Sequence, residues 1–278
     1  MGRTDQEARL SGALRVRLDT LLVERALAPT RARARAYIME GAVFVNGTRV
    51  DKAGQAVPRD ADVRVTARQS RYVSRGGVKL EAALMRFAIR ADGIVAADIG
   101  SSTGGFTDCW LQHGASRVYA VDVGYGQLAT RLRDDPRVEA HERINARYLE
   151  PGLFAGPVPS AASMDVSFID PRLILPALDR MMAPGWFLIE LVKPQFVLGP
   201  ERVGKGGIVN APEDHALALQ QAIGDASALG LAAVGLMPSP IRGQKGNREF
   251  LLYAVKGGVP ASLSVEAVVQ EAWEDSVP

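Results

Sequence analysis

Cysteine is almost absent from this sequence: Cys109 is the only one in 278 residues. That excludes an internal disulfide framework and a cysteine-rich zinc site. No apolar run approaches the roughly 18–20 residues that span a bilayer, so a membrane-spanning helix is not expected. Met1 to Leu14 is polar and charged, without the apolar core of a signal peptide, and the chain reads as cytoplasmic with no membrane partner. A P-loop is missing too. Gly204-Lys205-Gly206-Gly207 does not satisfy G-x-x-x-x-G-K-S/T and reads as a mobile loop.

What is present is unevenly distributed. The formal net charge is only +2. Residues 1–90 nevertheless hold 18 Lys and Arg against 9 Asp and Glu, and the remainder holds 15 against 22. A basic module joined to a mildly acidic one implies that the first meets a polyanion. The length has room for one large domain and a small one.

The large domain is organised around Ala97-Asp98-Ile99-Gly100-Ser101-Ser102-Thr103-Gly104-Gly105-Phe106. An apolar run leads into an acid, a glycine-rich turn follows, and a helical pattern then opens. That order suits a nucleotide-like ligand at the edge of a doubly wound α/β sheet. The spacing fits the dinucleotide fingerprint G-x-G-x-x-G poorly. It satisfies G-x-S-x-G literally, with Ser102 as a would-be hydrolase nucleophile and His141 or His215 as its base. It also suits S-adenosylmethionine (AdoMet), because the next strand, Arg117 to Val121, ends in Asp122, an acid placed for the hydroxyls of a ribose.

Along the chain, Arg17 to Val23 carries Leu18, Leu21 and Leu22 at helical spacing. Thr30 can cap a second helix, Arg31 to Glu40, closed by Gly41. Val43 to Val50 brackets Asn46-Gly47, the strongest short hairpin signal, and Asp62 to Thr66 adds a strand. Two short helices and a small sheet in this order resemble the S4 RNA-binding domain. The resemblance implies phosphate contacts from Arg15, Arg17, Arg31, Arg33, Arg35 and Arg49, to which Arg71 and Arg75 beyond the sheet are added.

From Leu80 onward strands and helices alternate, as a parallel sheet requires. Helices are expected at Leu80–Phe87, Gly105–Gln112, Gln127–Arg133, Leu173–Met182 and Asp214–Leu229. Asp98, Asp122, Asp165 and Lys193 all fall at strand ends. Glu249 joins them only if the last strand, Phe250 to Val255, runs antiparallel. Lys79 sits on the helix before the first strand, so a Lys–Asp–Lys–Glu cluster is sterically reasonable.

Several motifs together look like the TlyA family: Tyr72-Val73-Ser74-Arg75-Gly76-Gly77-Val78-Lys79-Leu80, Asp98 to Cys109, Asp122 to Leu128, Met164-Asp165-Val166-Ser167-Phe168-Ile169, Leu191 to Phe196 and Lys245-Gly246-Asn247-Arg248-Glu249-Phe250. The resemblance runs from about Arg15 to Lys256. It implies an AdoMet-dependent 2′-O-methyltransferase acting on ribosomal RNA within ribosomal subunits, with an S4 domain fused to an FtsJ-like catalytic domain. It places a catalytic tetrad on Lys79, Asp165, Lys193 and Glu249. Candidate cofactor contacts are Asp98, Gly100, Ser102, Thr103, Gly104, Gly105, Phe106, Asp122, Val123, Asn145 and Asp165, and no metal is expected. Val197 and Asn210-Ala211-Pro212 depart from the family pattern, on a loop expected to face RNA.

The expected fold is a Rossmann-like class I methyltransferase domain, α/β with a mostly parallel seven-stranded sheet, preceded by a small α+β S4 domain. The expected boundaries are a tail at 1–14, the S4 domain at 15–68, a linker at 69–77, the catalytic domain at 78–258 and a tail at 259–278. The rival readings are the Ser102 hydrolase and a non-enzymatic RNA-binding or cytolytic protein, since TlyA-like chains also carry the label hemolysin.

Overall fold

The computed structural model describes residues 15–39, 41–66, 71–243 and 245–274. The tail expected at 1–14 lies outside the described residues. The chain divides into two compact units, one ending at Ser70 and the other starting at Arg71.

In the first unit β1 (Arg15–Arg17) leads into α1 (Leu18–Glu24), then α2 (Arg31–Met39), β2 (Val43–Val45), β3 (Thr48–Arg49), β4 (Ala56–Pro58) and β5 (Val63–Val65). Leu18, Leu21 and Leu22 from α1 and Ala34 and Ile38 from α2 are buried against Val43, Val45 and Val57. Asn46 and Gly47 both have positive φ, +48° and +78°, as the expected hairpin needs, and Val45 pairs with Thr48 across it. Pairing of β1 with β4 was not legible, because three-residue strands carry too little alternation.

The second unit contains α3 (Gly76–Arg86), β6 (Val95–Ile99), α4 (Gly105–Gln112), β7 (Arg117–Asp122), α5 (Thr130–Arg133), β8 (Val138–Glu142), β9 (Ala161–Met164), α6 (Leu175–Asp179), β10 (Phe187–Val192), α7 (Pro194–Val197), α8 (Pro212–Ala228), β11 (Leu231–Pro238), β12 (Phe250–Lys256) and α9 (Val265–Glu274). Its seven strands form one sheet in the order β11-β12-β10-β9-β6-β7-β8. All pairings are parallel except those of β12, which runs against both β10 and β11. Apolar layers cover both faces, one with Trp110 and Leu80 and the other with Trp186, Leu219 and Leu252. This is the α/β class the sequence indicates.

Four segments differ from expectation. The linker expected at 69–77 is not one in its second half: Tyr72 is buried beside Phe106 and Cys109, and α3 already begins at Gly76. An aromatic anchor outweighs the polar, glycine-rich look of that stretch. The expected C-terminal tail contains α9, whose Val265, Val269 and Ala272 complete one apolar layer. The helix expected over Gln127–Arg133 is only one turn, because Ala129 is extended and its N–H donates to Thr103 O at 3.1 Å. The helix expected over Leu173–Met182 is split into a 3₁₀ turn at Pro171–Leu173 and α6, with Asp170 capping the first and Pro176 starting the second.

Candidate active site

β6 ends at Ile99 and the chain turns sharply into α4. Gly100 at φ +81°, Ser102 at +48° and Gly104 at +96° make the turn. The glycines serve packing within the protein. A Cβ on Gly100 would lie 2.5 Å from Asp165 O, and one on Gly105 would lie 2.2 Å from Ser74 Oγ and 2.9 Å from Gly77 N. The loop is therefore pressed between the end of β9 and the start of α3. Asp122, at the end of β7, accepts from Ser102 N at 2.8 Å and Gly124 N at 2.7 Å, joining the two loops at this edge. Carboxylate oxygens accept more than one bond each, so Asp122 can still receive hydroxyl donors.

The four tetrad candidates meet at the same edge in two ion pairs. Lys193 follows β10, and its Nζ lies 2.6 Å from Asp165 Oδ1. It also donates to Val166 O at 3.0 Å and Ser167 Oγ at 2.9 Å. Three acceptors match the three N–H groups of an ammonium. Lys79, on α3, donates to Glu249 Oε2 at 2.5 Å. Lys79, Lys193 and Glu249 are buried. The reversal of β12 brings the pairs together. Val192 pairs with Phe250, so Lys193 and Glu249 stand one step further on, at the same sheet edge. Glu249 is also braced through its neighbour. Arg248 lies over the Trp273 ring at 3.8 Å and donates from Nε to Ala272 O at 3.0 Å, both on α9.

Comparison with known proteins shows the family. Residues 72–256 match the FtsJ-like methyltransferase model and residues 16–63 match the S4 domain. The chain belongs to the FtsJ-like methyltransferase family. YqxC of Bacillus subtilis, named as an rRNA methyltransferase, is 52% identical over 85% of this chain and 84% of its own. TlyA of Mycobacterium tuberculosis, a 16S/23S rRNA (cytidine-2′-O)-methyltransferase, is 42% identical over 87% of this chain and 90% of its own. A solved Streptococcus thermophilus structure that bears the name hemolysin superposes with a TM-score of 0.76 at 42% identity, covering 95% of this chain and 98% of that one. The TlyA resemblance read from the motifs stands.

Within the FtsJ-like unit, two of the expected cofactor residues have buried side chains. Asp98 is fully buried, accepting from Thr107 Oγ1 at 2.6 Å and Ser163 Oγ at 3.0 Å, and burial pushes its carboxyl up to about 6. It holds α4 and β9 together from beneath the loop. Phe106 is likewise buried in the apolar layer beside Tyr72 and Cys109. Ser102, Thr103, Val123 and Asn145 are exposed, and Asn145 caps a 3₁₀ turn by accepting from Arg147 N at 3.0 Å. Ser102 Oγ pairs with Gln127 Oε1 at 3.2 Å, an amide rather than a base. His141 pairs with Glu139, and His215 is buried between Phe250 and Trp273, so neither completes a hydrolase triad with Ser102. Cys109 is buried, with its thiol pushed up to about 12 by desolvation, as a structural thiol would be.

Sequence reasoning missed two residues at the rim. Ser167 and Phe168 follow Asp165 in its motif and are not among the expected site residues. Phe168 is 91% exposed, has φ +63°, and tilts against Phe196 at 4.8 Å between ring centroids. A large aromatic left in water in a strained conformation beside a buried lysine signals a contact surface.

The S4 arginines divide into groups. Arg17, Arg31 and Arg35 converge on Asp19. Arg33 lies over the Tyr37 ring at 4.9 Å, and Arg15 donates to Ala56 O at 2.7 Å. The Arg49 guanidinium covers Gly41. In the FtsJ-like unit Arg71 pairs with Glu81 at 2.5 Å, and Arg75 stands at the start of α3. No described helix is long and apolar enough to cross a membrane, and no described group of three His, Cys, Asp or Glu could hold a metal.

Proposed function

We propose that the chain transfers the methyl group of AdoMet to the 2′-hydroxyl of a ribosomal RNA cytidine, within ribosomal subunits in the cytoplasm. One observation supports this above the others: a buried lysine, held by Asp165 and Val166, aims its third N–H at the exposed Ser167 hydroxyl. That hydroxyl occupies the position from which a substrate hydroxyl can reach Lys193.

The residues at the sheet edge fit AdoMet. Asp122 suits a vicinal diol, and the loop Gly100–Gly104 ends at the N-terminus of α4, where N–H groups favour an acidic group. AdoMet, when bound, supplies a methyl group on a sulfonium. Held there, it would offer that carbon to the 2′-oxygen and would keep the carbon–sulfur electrons on sulfur. Lys193 holds the oxygen in line. It takes the hydroxyl proton by passing one of its own to Asp165, so the pair acts as a relay. Lys79 and Glu249 form a second, self-neutralised pair at the same sheet edge. Phe168 offers a face on which the base of the displaced nucleotide stacks.

The test is incubation of the protein with ribosomal subunits and labelled AdoMet, followed by digestion and identification of the nucleoside. Label in 2′-O-methylcytidine is expected, and label on a base overturns the reading. Asp122→Ala addresses the cofactor. Losing a charged hydrogen-bond acceptor costs about 1.5–3 kcal/mol, so AdoMet affinity by calorimetry should drop about 10–100-fold. An unchanged affinity would remove Asp122 from the cofactor site.

A further inference from the structure

The S4 unit contains an arrangement that ordinary surface charge does not explain. Asp19, in the first turn of α1, is wholly buried, and three arginines from two other elements surround it. Arg17, at the end of β1, donates to Oδ1 from Nε and to Oδ2 from Nη2, both at 3.0 Å. Arg31 and Arg35, one turn apart on α2, reach the same Oδ2 at 3.1 and 3.2 Å. The three arginine side chains remain 51–53% exposed. One anion thus gathers three cations at a single oxygen, and the cluster keeps a surplus of two positive charges at the surface. The Arg17 guanidinium, ahead of Arg31 and Arg35, holds the Asp19 carboxyl well below the usual carboxylate range, so this anchor stays charged across the working pH range.

A guanidinium has five N–H donors in a fixed plane, and only one or two from each arginine are spent on Asp19. That leaves three or four donors on each guanidinium, on side chains that are half exposed. A phosphate takes such forks two oxygens at a time, and fixing the arginines beforehand removes the rotamer entropy that free side chains lose on binding. Repulsion would spread three unanchored arginines apart.

We propose that Asp19 is the positioning residue of a three-arginine clamp, made by Arg17, Arg31 and Arg35, for a backbone phosphate of the RNA. This rests on the S4 unit's binding RNA. It departs from that reading in one respect: an acidic residue is what makes the basic patch bind.

That departure gives a test by sign, using the full chain and ribosomal RNA in filter binding at several salt concentrations. Asp19→Asn raises the positive charge of the patch by one. Charge alone would tighten binding and steepen the salt dependence. The clamp predicts the reverse, a loss of about tenfold in affinity, as expected when preorganised contacts are lost. Because Asp19 is buried, amide exchange over Leu18–Glu24 and Arg31–Met39 shows whether the variant keeps its helices. Arg31→Lys and Arg35→Lys provide a second arm. Both positions are half exposed, both variants keep the charge, and each loses the planar fork. The clamp predicts about 3–10-fold weaker binding for each, while charge alone predicts wild-type affinity. Tighter or unchanged binding by Asp19→Asn with intact helices, or wild-type affinity in both lysine variants, overturns the clamp. Replacing all three arginines by Gln separates the two levels. If that variant binds RNA as the wild type does, the RNA reading of this face fails. If it binds weakly while the lysine variants do not, only the clamp fails.

Discussion

Lys193→Ala should lower methyl transfer by about 10²–10⁴-fold, the range typical of a positioned proton-transfer group, while AdoMet and RNA both still bind. The ground for this is the saturation of Lys193 by Asp165, Val166 and Ser167. An ammonium with three acceptors is no base until it gives up a proton, and Asp165, at 2.6 Å, is the nearest group that can take one. Asp165→Asn should therefore cost nearly as much as Lys193→Ala, and the double variant should cost little more than either, because the two act as one unit. Lys193→Arg should not restore the rate, since a guanidinium keeps its proton and its plane does not match three divergent acceptors. Single-turnover rates together with AdoMet affinity by calorimetry decide the matter. If Asp165→Asn retains near wild-type turnover, Lys193 only steers the oxygen as a cation and the relay is wrong.

Raising the pH from 5 to 8 should destabilise the FtsJ-like unit, and Glu190→Gln should remove most of that effect. Glu190 lies in the middle of β10, 1% exposed, and neither carboxyl oxygen has a hydrogen-bond partner. Burial, reinforced by Asp225 and Asp170, pushes its carboxyl from an ordinary 4.5 to about 8. The folded protein thus keeps a proton that the unfolded chain releases above about 4.5. The stabilisation is complete below that pH and is lost as pH rises through about 8, at up to about 1.4 kcal/mol per pH unit. Asp98, raised to about 6, adds a smaller loss of the same sign that is over by about that pH. A net change of a few kcal/mol lowers the Tm of a unit this size by roughly 5–10 °C. Calorimetric scans at pH 5, 6, 7 and 8 on the wild type and Glu190→Gln check this. Parallel pH dependences in the two proteins would show that Glu190 is not the group responsible.

The alternation of strands and helices was legible because buried parallel strands leave apolar runs, such as Val118 to Val121 and, broken only by Glu190, Phe187 to Val192. Asp122, Asp165 and Lys193 were legible for the same reason: each ends such a run. Tyr72 and α9 were not. A single aromatic in a polar stretch gives no period, and the amphipathic face of α9 has meaning only against a sheet edge already known. Nor did spacing indicate that Asp19 would gather three arginines. They are 2, 12 and 16 residues from it, and only the folded unit brings them to one oxygen. Loop glycines carried the reverse lesson. They read as contacts for a ligand, and at Gly100 and Gly105 they also leave room for the protein's own atoms, which a Cβ would strike.

The Lys79–Glu249 pair joins positions 170 residues apart. Contacts of such separation carry the largest loop-closure cost and form late when a chain folds. α3 and α4 can gain helical structure locally, but Glu249 reaches Lys79 only after the reversed strand β12 has entered between β10 and β11. In a refolding experiment the helical signal should therefore return before methyl transfer does. With Lys79 and Glu249 in the proposed tetrad, competence for methyl transfer reports completion of the whole sheet.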